Sequence, residues 1–181
     1  MIIFQTTRLL VRRYTKDDKG IFFSLNASEE VMRYIRPVKT KEECDAFLLE
    51  VIAYAEKEKL FGRWAVEDKE SNQFVGSFGV IPVERKDQMQ LGYALMPKHW
   101  GKGYATELTV AGLDYVFTKT DIDPIYAYTE AANAPSQRVL LKAGFTQNGS
   151  DIEGGKEIAG FMLDKAHYVK RKTQYADSTK I

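Results

Sequence analysis

Two glycines, one residue apart, stand where an extended segment meets a helical one, in the sequence His99-Trp-Gly-Lys-Gly-Tyr-Ala-Thr-Glu107. Glycine lets the backbone approach a ligand closely, and the free N–H groups at a helix start favour negative charge. The stretch therefore predicts a pyrophosphate site formed by the loop residues Gly101, Lys102, Gly103, Tyr104, Ala105 and Thr106. The alternative is a glycine turn before a buried helix, and the loop by itself leaves both open.

Two other phosphate-binding motifs fit this loop less well. A dinucleotide fingerprint requires a third glycine at the position of Thr106, and a P-loop requires a Gly-Lys-Ser/Thr ending, which the sequence does not contain. The remaining signal is the pair of glycines, with Lys102 as a nearby cation.

A second polar segment follows about thirty residues later, in Asn133-Ala-Pro-Ser136-Gln-Arg138-Val-Leu-Leu-Lys142-Ala-Gly144-Phe145. Asn133 is a favourable helix N-cap, Pro135 is tolerated in a first turn, and Gly144 suits the left-handed position after a helix. The segment predicts a short helix with Ser136 near its start. Capping alone explains these residues, so their role in function stays open at this point.

The order and spacing of the two segments resemble those of the GNAT acetyltransferases. Gly103 and Ala105 match the end of the acetyl-CoA signature Gln/Arg-x-x-Gly-x-Gly/Ala, while Trp100 stands where Gln or Arg is usual. The second segment is similar to the family's Asn-x-x-Ser…Lys-x-Gly-Phe motif. The resemblance covers nearly the whole chain. It implies acetyl-CoA as co-substrate, no metal, and Asn133 and Ser136 among the cofactor-binding residues.

The same resemblance implies an α/β fold, the GNAT-like acyl-CoA N-acyltransferase fold, whose mixed sheet splays between its fourth and fifth strands. The pantetheine arm would lie in this splay and bond to the backbone near Leu95 and Met96. Segments 7–12, 28–35 and 90–93 look like those of the RimJ/RimL-like branch. This branch implies direct acetyl transfer to a primary amine, either a protein N-terminal α-amine or a small-molecule amine.

Acetyl transfer needs a polarised thioester carbonyl and a proton for the departing thiolate. A backbone N–H near Leu95 or Met96 is the expected carbonyl donor. Many family members protonate the sulfur with a tyrosine where this chain has Leu140. Ser136 or a water is therefore expected to serve here, unless Ser136 only caps its own helix.

The reaction also needs a neutral amine, and the general base is less evident. Relatives in the branch often carry Glu where this chain has Gln90, and an amide cannot accept a proton at neutral pH. We expect Gln90 to position a water or the substrate, while Glu130 either reaches the cleft or is solvated in a loop. Deprotonating an α-amine at pH 7 costs about 1 kcal/mol, against about 4.6 kcal/mol for a lysine amine. The missing carboxylate therefore favours an amine of low pKa.

Hydrophobic patterning predicts the elements that position these residues. Alternation from Met89 to Met96 predicts a strand with residues 89, 91, 93 and 95 toward the core and residues 90, 92, 94 and 96 toward a cleft. A capping box at residues 40–43 predicts a helix through Ala55. Further strands are expected at 7–13, 63–67, 73–81, 125–129 and 157–163, and further helices at 21–25, 29–35 and 106–117.

Composition limits the class of protein. A length of 181 residues and a formal charge of +1 predict a single domain over residues 1–165, with a peripheral tail at 166–181 and no nucleic-acid partner. No apolar run is long enough to span a membrane, and the lone Cys44 fits a reducing cytoplasm. His99 and His167 have no acidic or cysteine neighbours at ligand spacing, so no metal site is expected. We expect a monomer or homodimer.

A non-catalytic acyl-CoA sensor is the alternative function, with Gln90 marking lost chemistry. Both hypotheses predict binding of coenzyme A. Turnover with any amine would exclude the sensor.

Overall fold

The computed structural model describes residues 1–84 and 86–178. Its strands are β1 (Ile2–Gln5), β2 (Leu9–Arg13), β3 (Gly62–Asp68), β4 (Phe74–Pro82), β5 (Met89–Leu95), β6 (Ile125–Glu130), β7 (Thr146–Glu153) and β8 (Lys156–Leu163). Its α-helices are α1 (Lys19–Asn26), α2 (Glu29–Met32), α3 (Lys41–Glu58), α4 (Tyr104–Lys119), α5 (Ala134–Ala143) and α6 (Lys165–Ser178). Within these ranges, no helix is both long enough and apolar enough to span a membrane.

The strands form one mixed sheet in the order β1-β2-β3-β4-β5-β6-β8-β7. Strands β1 to β5 pair antiparallel in sequence order, and α4 carries the chain across to β6, which lies parallel to β5. The hairpin of β7 and β8 then adds to β6 antiparallel through β8. The mixed α/β sheet expected from the sequence is confirmed.

The splay lies between β5 and β6. These strands have seven and six residues, yet their pairing holds only where Gln90 lies opposite Tyr126. Beyond Gln90 the two strands therefore separate toward their carboxyl ends. They are the strands expected as fourth and fifth, because β1 precedes the first strand that the sequence pattern indicates.

Helices cover both faces of the sheet. The larger core places α4 against one face, with Leu108, Leu113 and Val116 packed among Trp64 and Phe78. On the other face, α3 packs its buried residues Cys44, Leu48 and Val51 near Ala65 of β3. Helix α4 thus lies on one side of the sheet and helices α1 to α3 lie on the other. The splay between β5 and β6 is a gap in the sheet that separates these two sides.

The capping box predicted for α3 is present. Thr40 Oγ1 accepts a hydrogen bond from the Glu43 N–H at 3.2 Å, and the Glu43 carboxylate accepts one from the Thr40 N–H at 2.7 Å. Each side chain thus bonds a backbone donor that has no partner inside the helix. The helix begins at the residue that this signature indicates.

Several boundaries differ from those expected. Helix α4 begins at Tyr104 rather than Thr106, and α2 ends at Met32 rather than Ile35. The sequence pattern does not predict strands β1 and β7. All eight residues of β7 are exposed, so it carries no hydrophobic pattern and depends on backbone pairing with β8.

The C-terminal segment forms α6 within the described residues. Tyr168 of this helix is buried, and its ring lies 5.2 Å from that of Phe117. The division into a domain of residues 1–165 and a tail at 166–181 stays a prediction, and Tyr168 belongs to the main core.

Candidate active site

The glycine loop, residues 100–106, presents backbone donors without acceptors. Gly101 and Gly103 adopt left-handed conformations with φ of 72° and 79°. The first hydrogen bond of α4 runs from the Glu107 N–H to the Gly103 carbonyl at 3.1 Å, and no side chain caps the helix. In the described part of the chain, no acceptor is found for the N–H groups of residues 104–106. These amides can bind an anion at the helix start.

An ion pair anchors this loop to the start of the sheet. The Arg8 guanidinium donates to Glu107 at 2.7 Å and to the Lys102 carbonyl at 3.0 Å. Burial alone would raise the pKa of Glu107, but hydrogen bonds from Thr6 and Arg8 outweigh it and lower the pKa. Glu107 is therefore ionised at neutral pH and holds the first turn of α4 in place.

Tyr104 uses its side chain for packing. Its hydroxyl donates to Asp68 at 2.6 Å, and the Arg8 guanidinium lies 4.5 Å from the centre of its ring. Its contribution to ligand binding would come from its backbone N–H. Lys102 is exposed and does not line the cleft described below, so as a cation it remains only a nearby charge.

The edge of β5 that faces the splay offers one of the two expected backbone donors. The Met96 N–H donates to the Val75 carbonyl of the neighbouring strand β4 at 2.9 Å. Because donors alternate between the two edges of an antiparallel strand, the Leu95 N–H points the other way, toward β6. The Met96 N–H is therefore already paired within the sheet, and of the two expected donors the Leu95 N–H is the one that faces the splay; its role as donor stays a prediction. The Leu95 carbonyl accepts from the Trp100 indole at 2.7 Å.

Helix α5 places Ser136 beside a tyrosine. Asn133 caps the helix by accepting from the Ser136 N–H at 3.3 Å, as predicted. Burial raises the pKa of the Tyr93 phenol, and the nearby Ser136 side chain partly offsets this rise. Sequence reasoning missed this pair because Tyr93 falls on the core-facing side of the strand. The absence of a tyrosine at Leu140 was the only signal that another phenol could be needed.

One cleft of about 740 Å³ brings most of the predicted residues together. Its volume is typical of a small-molecule site. The predicted residues in its lining are Gln90, Leu95, Gly101, Gly103, Tyr104, Ala105, Thr106, Asn133 and Ser136. Lys102 and Met96 are outside the lining. Which of these residues bind the ligand stays a prediction.

The cleft continues beyond Gln90 onto the sheet face covered by α1 and α3. Phe22, Tyr34, Phe47, Arg36 and Arg63 line this second part, called here the acceptor end. All residues of β5 from 90 to 95 line the cleft, so both faces of the strand contribute to it and not only the small and partly polar face predicted.

Each carboxylate that lines the cleft is either paired with a cation or exposed to solvent. Glu130 lies in β6 rather than in a loop, and its largely buried side chain pairs with Lys156. Glu30 and Glu153 also line the cleft, and both are exposed. Of the three carboxylates, Glu130 is therefore already paired, and Glu30 and Glu153 are exposed to solvent.

Comparison with known proteins identifies the family. Residues 8–146 match the family described as "Acetyltransferase (GNAT) domain". The chain is 29% identical over 150 residues to the "Uncharacterized N-acetyltransferase YoaA" of Bacillus subtilis (strain 168), covering 81% of this chain and 84% of the relative. It superposes on a GNAT-family acetyltransferase from Bacillus anthracis with a TM-score of 0.79 and 25% identity, over 92% of this chain and 99% of that one.

Two more distant structures share the fold. One is RimL, a ribosomal L7/L12 α-N-protein acetyltransferase in complex with coenzyme A, with a TM-score of 0.77 and 16% identity over 91% of this chain and 98% of that one. The other is spermidine N-acetyltransferase from Vibrio cholerae in complex with CoA and spermine, with a TM-score of 0.74 and 22% identity over 89% and 98%. Nothing in these comparisons supports a non-catalytic sensor. The chain belongs to the GNAT acetyltransferase family and is an acetyl-CoA-dependent N-acetyltransferase.

Proposed function

We propose that this enzyme belongs to the RimJ/RimL-like branch and transfers the acetyl group directly from acetyl-CoA to a primary amine. The acceptor is a protein N-terminal α-amine or a small-molecule amine. The observation that carries the proposal is the single cleft in which the unpaired amides of the glycine loop, the splayed strands and Ser136 meet.

The glycine loop fits a pyrophosphate. The left-handed glycines expose the backbone, since a Cβ built on Gly101 would meet nothing within 4 Å. The N–H groups of Tyr104, Ala105 and Thr106 would bind the phosphate oxygens, and the α4 dipole would favour their charge. The Leu95 N–H at the splay would then bond the carbonyl of the acetyl group.

Ser136 and Tyr93 would serve the leaving group. In this proposal the Ser136 hydroxyl hydrogen-bonds the sulfur, and the Tyr93 hydroxyl bonds to Ser136 in turn. Because burial raises the pKa of Tyr93, its phenol keeps its proton at neutral pH and can donate it. A hydroxyl from β5 would thus replace the one that Leu140 cannot provide.

The amine would lose its proton through water held by Gln90. An amide side chain can orient a water but cannot take up a proton at neutral pH. The enzyme would therefore favour an amine that is already partly neutral, and an α-amine meets this condition better than a lysine amine. The buried, unpaired Cys44 supports a reducing compartment, and we place the enzyme in the cytoplasm as a monomer or homodimer.

The test is turnover with a panel of amines. The protein is mixed with acetyl-CoA and peptides, amino acids, polyamines or aminoglycosides, and thiol release is followed while mass spectrometry detects the acetylated product. Transfer to at least one primary amine is expected. Binding of acetyl-CoA without transfer to any member would contradict the proposal and favour the sensor.

A further inference from the structure

A row of residues crosses the sheet at the acceptor end of the cleft. Arg63 of β3 pairs with Gly79 of β4, and Gly79 pairs with Gly92 of β5. Neighbouring strands are about 4.8 Å apart, so Arg63 lies roughly 10 Å from Gly92 along this row. Gln90 shares the face of Gly92, two residues away on the same strand. The row therefore connects the splay to Arg63.

The two glycines of this row differ in the space around them. A Cβ built on Gly92 would meet no atom within 4 Å. A Cβ on Gly79 would lie 3.0 Å from the Gly62 carbonyl, so the backbone of β3 itself borders this position. Both glycines line the cleft. The open surface is therefore over Gly92, while Gly79 lies against the Arg63 side chain, whose Cγ would be 3.4 Å from such a Cβ. An extended ligand can lie over Gly92 with one end at the splay and the other end near Arg63.

Two guanidinium groups stand at the far end of this row. Arg36, which follows α2, and Arg63 are both partly buried and both line the cleft. Their guanidinium carbons lie 5.2 and 5.8 Å from the centre of the Phe47 ring. Burial and the neighbouring Arg36 lower the pKa of Arg63 to about 10, and burial also lowers the pKa of Arg36. Both groups stay positively charged at neutral pH.

No acid balances these charges in the described residues. The Arg63 guanidinium makes no hydrogen bond or ion pair there, and Arg36 donates only to the Asn26 side-chain amide. Arg36 Nε is buried without an acceptor. The other titratable groups that act on these arginines are Cys44 and Tyr14, neither of which is a carboxylate.

The other charged residues near the acceptor end leave its net charge positive. The Lys39 ammonium lies 5.4 Å from the centre of the Phe47 ring and adds positive charge. At the rim, the exposed Glu30 and the exposed Arg33 both line the cleft and oppose each other in sign. The acceptor end is therefore a positively charged pocket with an aromatic wall.

Buried guanidinium groups bind planar oxyanions through paired N–H donors, and a carboxylate is the simplest such partner. We propose that the acceptor carries a carboxylate, which Arg36 and Arg63 bind while its amine lies at the splay. The acceptor is then an amino acid or an acidic peptide N-terminus, and a polyamine is disfavoured by charge. This inference rests on the proposed function, since it takes the splay as the site of transfer.

Matched acceptors test the inference. The dipeptide amides Ala-Asp-NH₂ and Ala-Asn-NH₂ present the same α-amine and differ in one carboxylate. The kcat/KM of wild-type protein should be at least about tenfold higher for the acidic peptide, and free aspartate compares an amino acid with a peptide. In Arg63→Met and Arg36→Met this preference should fall below about threefold, through a higher KM for the acidic peptide. Arg33→Met, which removes an exposed charge at the rim, should keep it.

A second variant tests the path over Gly92. Gly92→Val should fold normally, because its side chain meets open space, yet it should raise the KM for the acidic acceptor at least about tenfold. The KM for acetyl-CoA should stay within about threefold. An unchanged acceptor KM would show that the ligand takes another path and would overturn this part of the inference.

A binding readout separates failure of the inference from failure of the proposed function. Succinate, at matched ionic strength against chloride, should raise the thermal midpoint of the wild type and not that of Arg63→Met. Equal kcat/KM for the two peptides, or a higher value for spermidine, would overturn the inference and leave the proposed function standing. If no amine is acetylated, the proposed function fails, and the change in thermal midpoint with succinate then tests the inference by itself. A rise only in the wild type supports a carboxylate-binding pocket at Arg63. Equal changes in the wild type and in Arg63→Met overturn that pocket.

Discussion

Replacing Arg63 by methionine should stabilise the protein when no acceptor is bound. Burial and the neighbouring Arg36 lower the pKa of Arg63 to about 10, well below its ordinary value. At about 1.4 kcal/mol for each pKa unit, the buried charge costs the folded state about 3 kcal/mol. Methionine keeps most of the aliphatic stem that packs in the cleft and removes the charge. We therefore expect Arg63→Met to raise the free energy of unfolding by at least about 1 kcal/mol.

Urea unfolding at pH 7.5 measures this change, and thermal unfolding should show a midpoint higher by at least about 2 °C. The control is Arg33→Met, whose exposed guanidinium is solvated and should change stability by less than about 0.5 kcal/mol. The folded-state pKa of Arg63 lies below its unfolded value, so the unfolded chain binds more protons in the range that begins at about pH 10. The stability of the wild type should therefore gain from rising pH in that range and be insensitive to this group near neutrality.

A loss of more than about 1 kcal/mol of stability in Arg63→Met would contradict an unpaired, destabilising charge at Arg63. That result would mean that the guanidinium makes a net stabilising contact in the folded protein, and the argument for an unpaired charge would fail. A gain in stability together with a loss of preference for acidic acceptors would instead identify Arg63 as a residue kept for binding.

The remaining predictions concern the cofactor and the proton route. Gly103→Val should weaken coenzyme A binding about a hundredfold or more in calorimetry, because the side chain would occupy a left-handed position against the phosphates; Gly149→Val, which has similar φ on exposed β7, should bind normally. Gln90→Ala should lower turnover about tenfold, and a loss above about a thousandfold would make Gln90 a central catalytic group. Tyr93→Phe should lower kcat roughly ten- to a hundredfold while the KM for acetyl-CoA changes less than about threefold; an unchanged kcat would assign Tyr93 to packing.

The sequence predicts those helices and strands whose start or pattern depends on residues that are close together along the chain. The capping box of α3, the alternation of β5 and the glycines before α4 depend on residues within a few positions of one another, and each was placed correctly to within two residues. Strand β7 has no such signal. Its residues are all exposed, so only the presence of β8 beside it makes it a strand.

The candidate site also has parts that the sequence predicts and parts that it does not. The glycine loop and the cap of α5 are contiguous in sequence and could be predicted. The contact of Tyr93 with Ser136 and the row from Arg63 to Gly92 depend on which strands are neighbours and in what register. A pattern within one segment does not encode that register, so the acceptor end became visible only in the folded chain.

Charge pairing elsewhere on the same sheet face shows why the acceptor end is unusual. Arg12 of β2 lies opposite Ala65, two residues from Arg63, and donates to Asp18 at 2.7 Å and to Glu67 at 2.6 Å. The hydrogen bond to Asp18 is the main reason that the pKa of Arg12 is raised, whereas burial without an acid lowers the pKa of Arg63. The two arginines on one face thus differ in their acidic partners: Arg12 has two, whereas Arg63 has none in the described residues and lies near Arg36. Burying an unpaired charge costs free energy. The fold offsets this cost for Arg12 with Asp18 and Glu67, and in our proposal the carboxylate of the acceptor offsets it for Arg63.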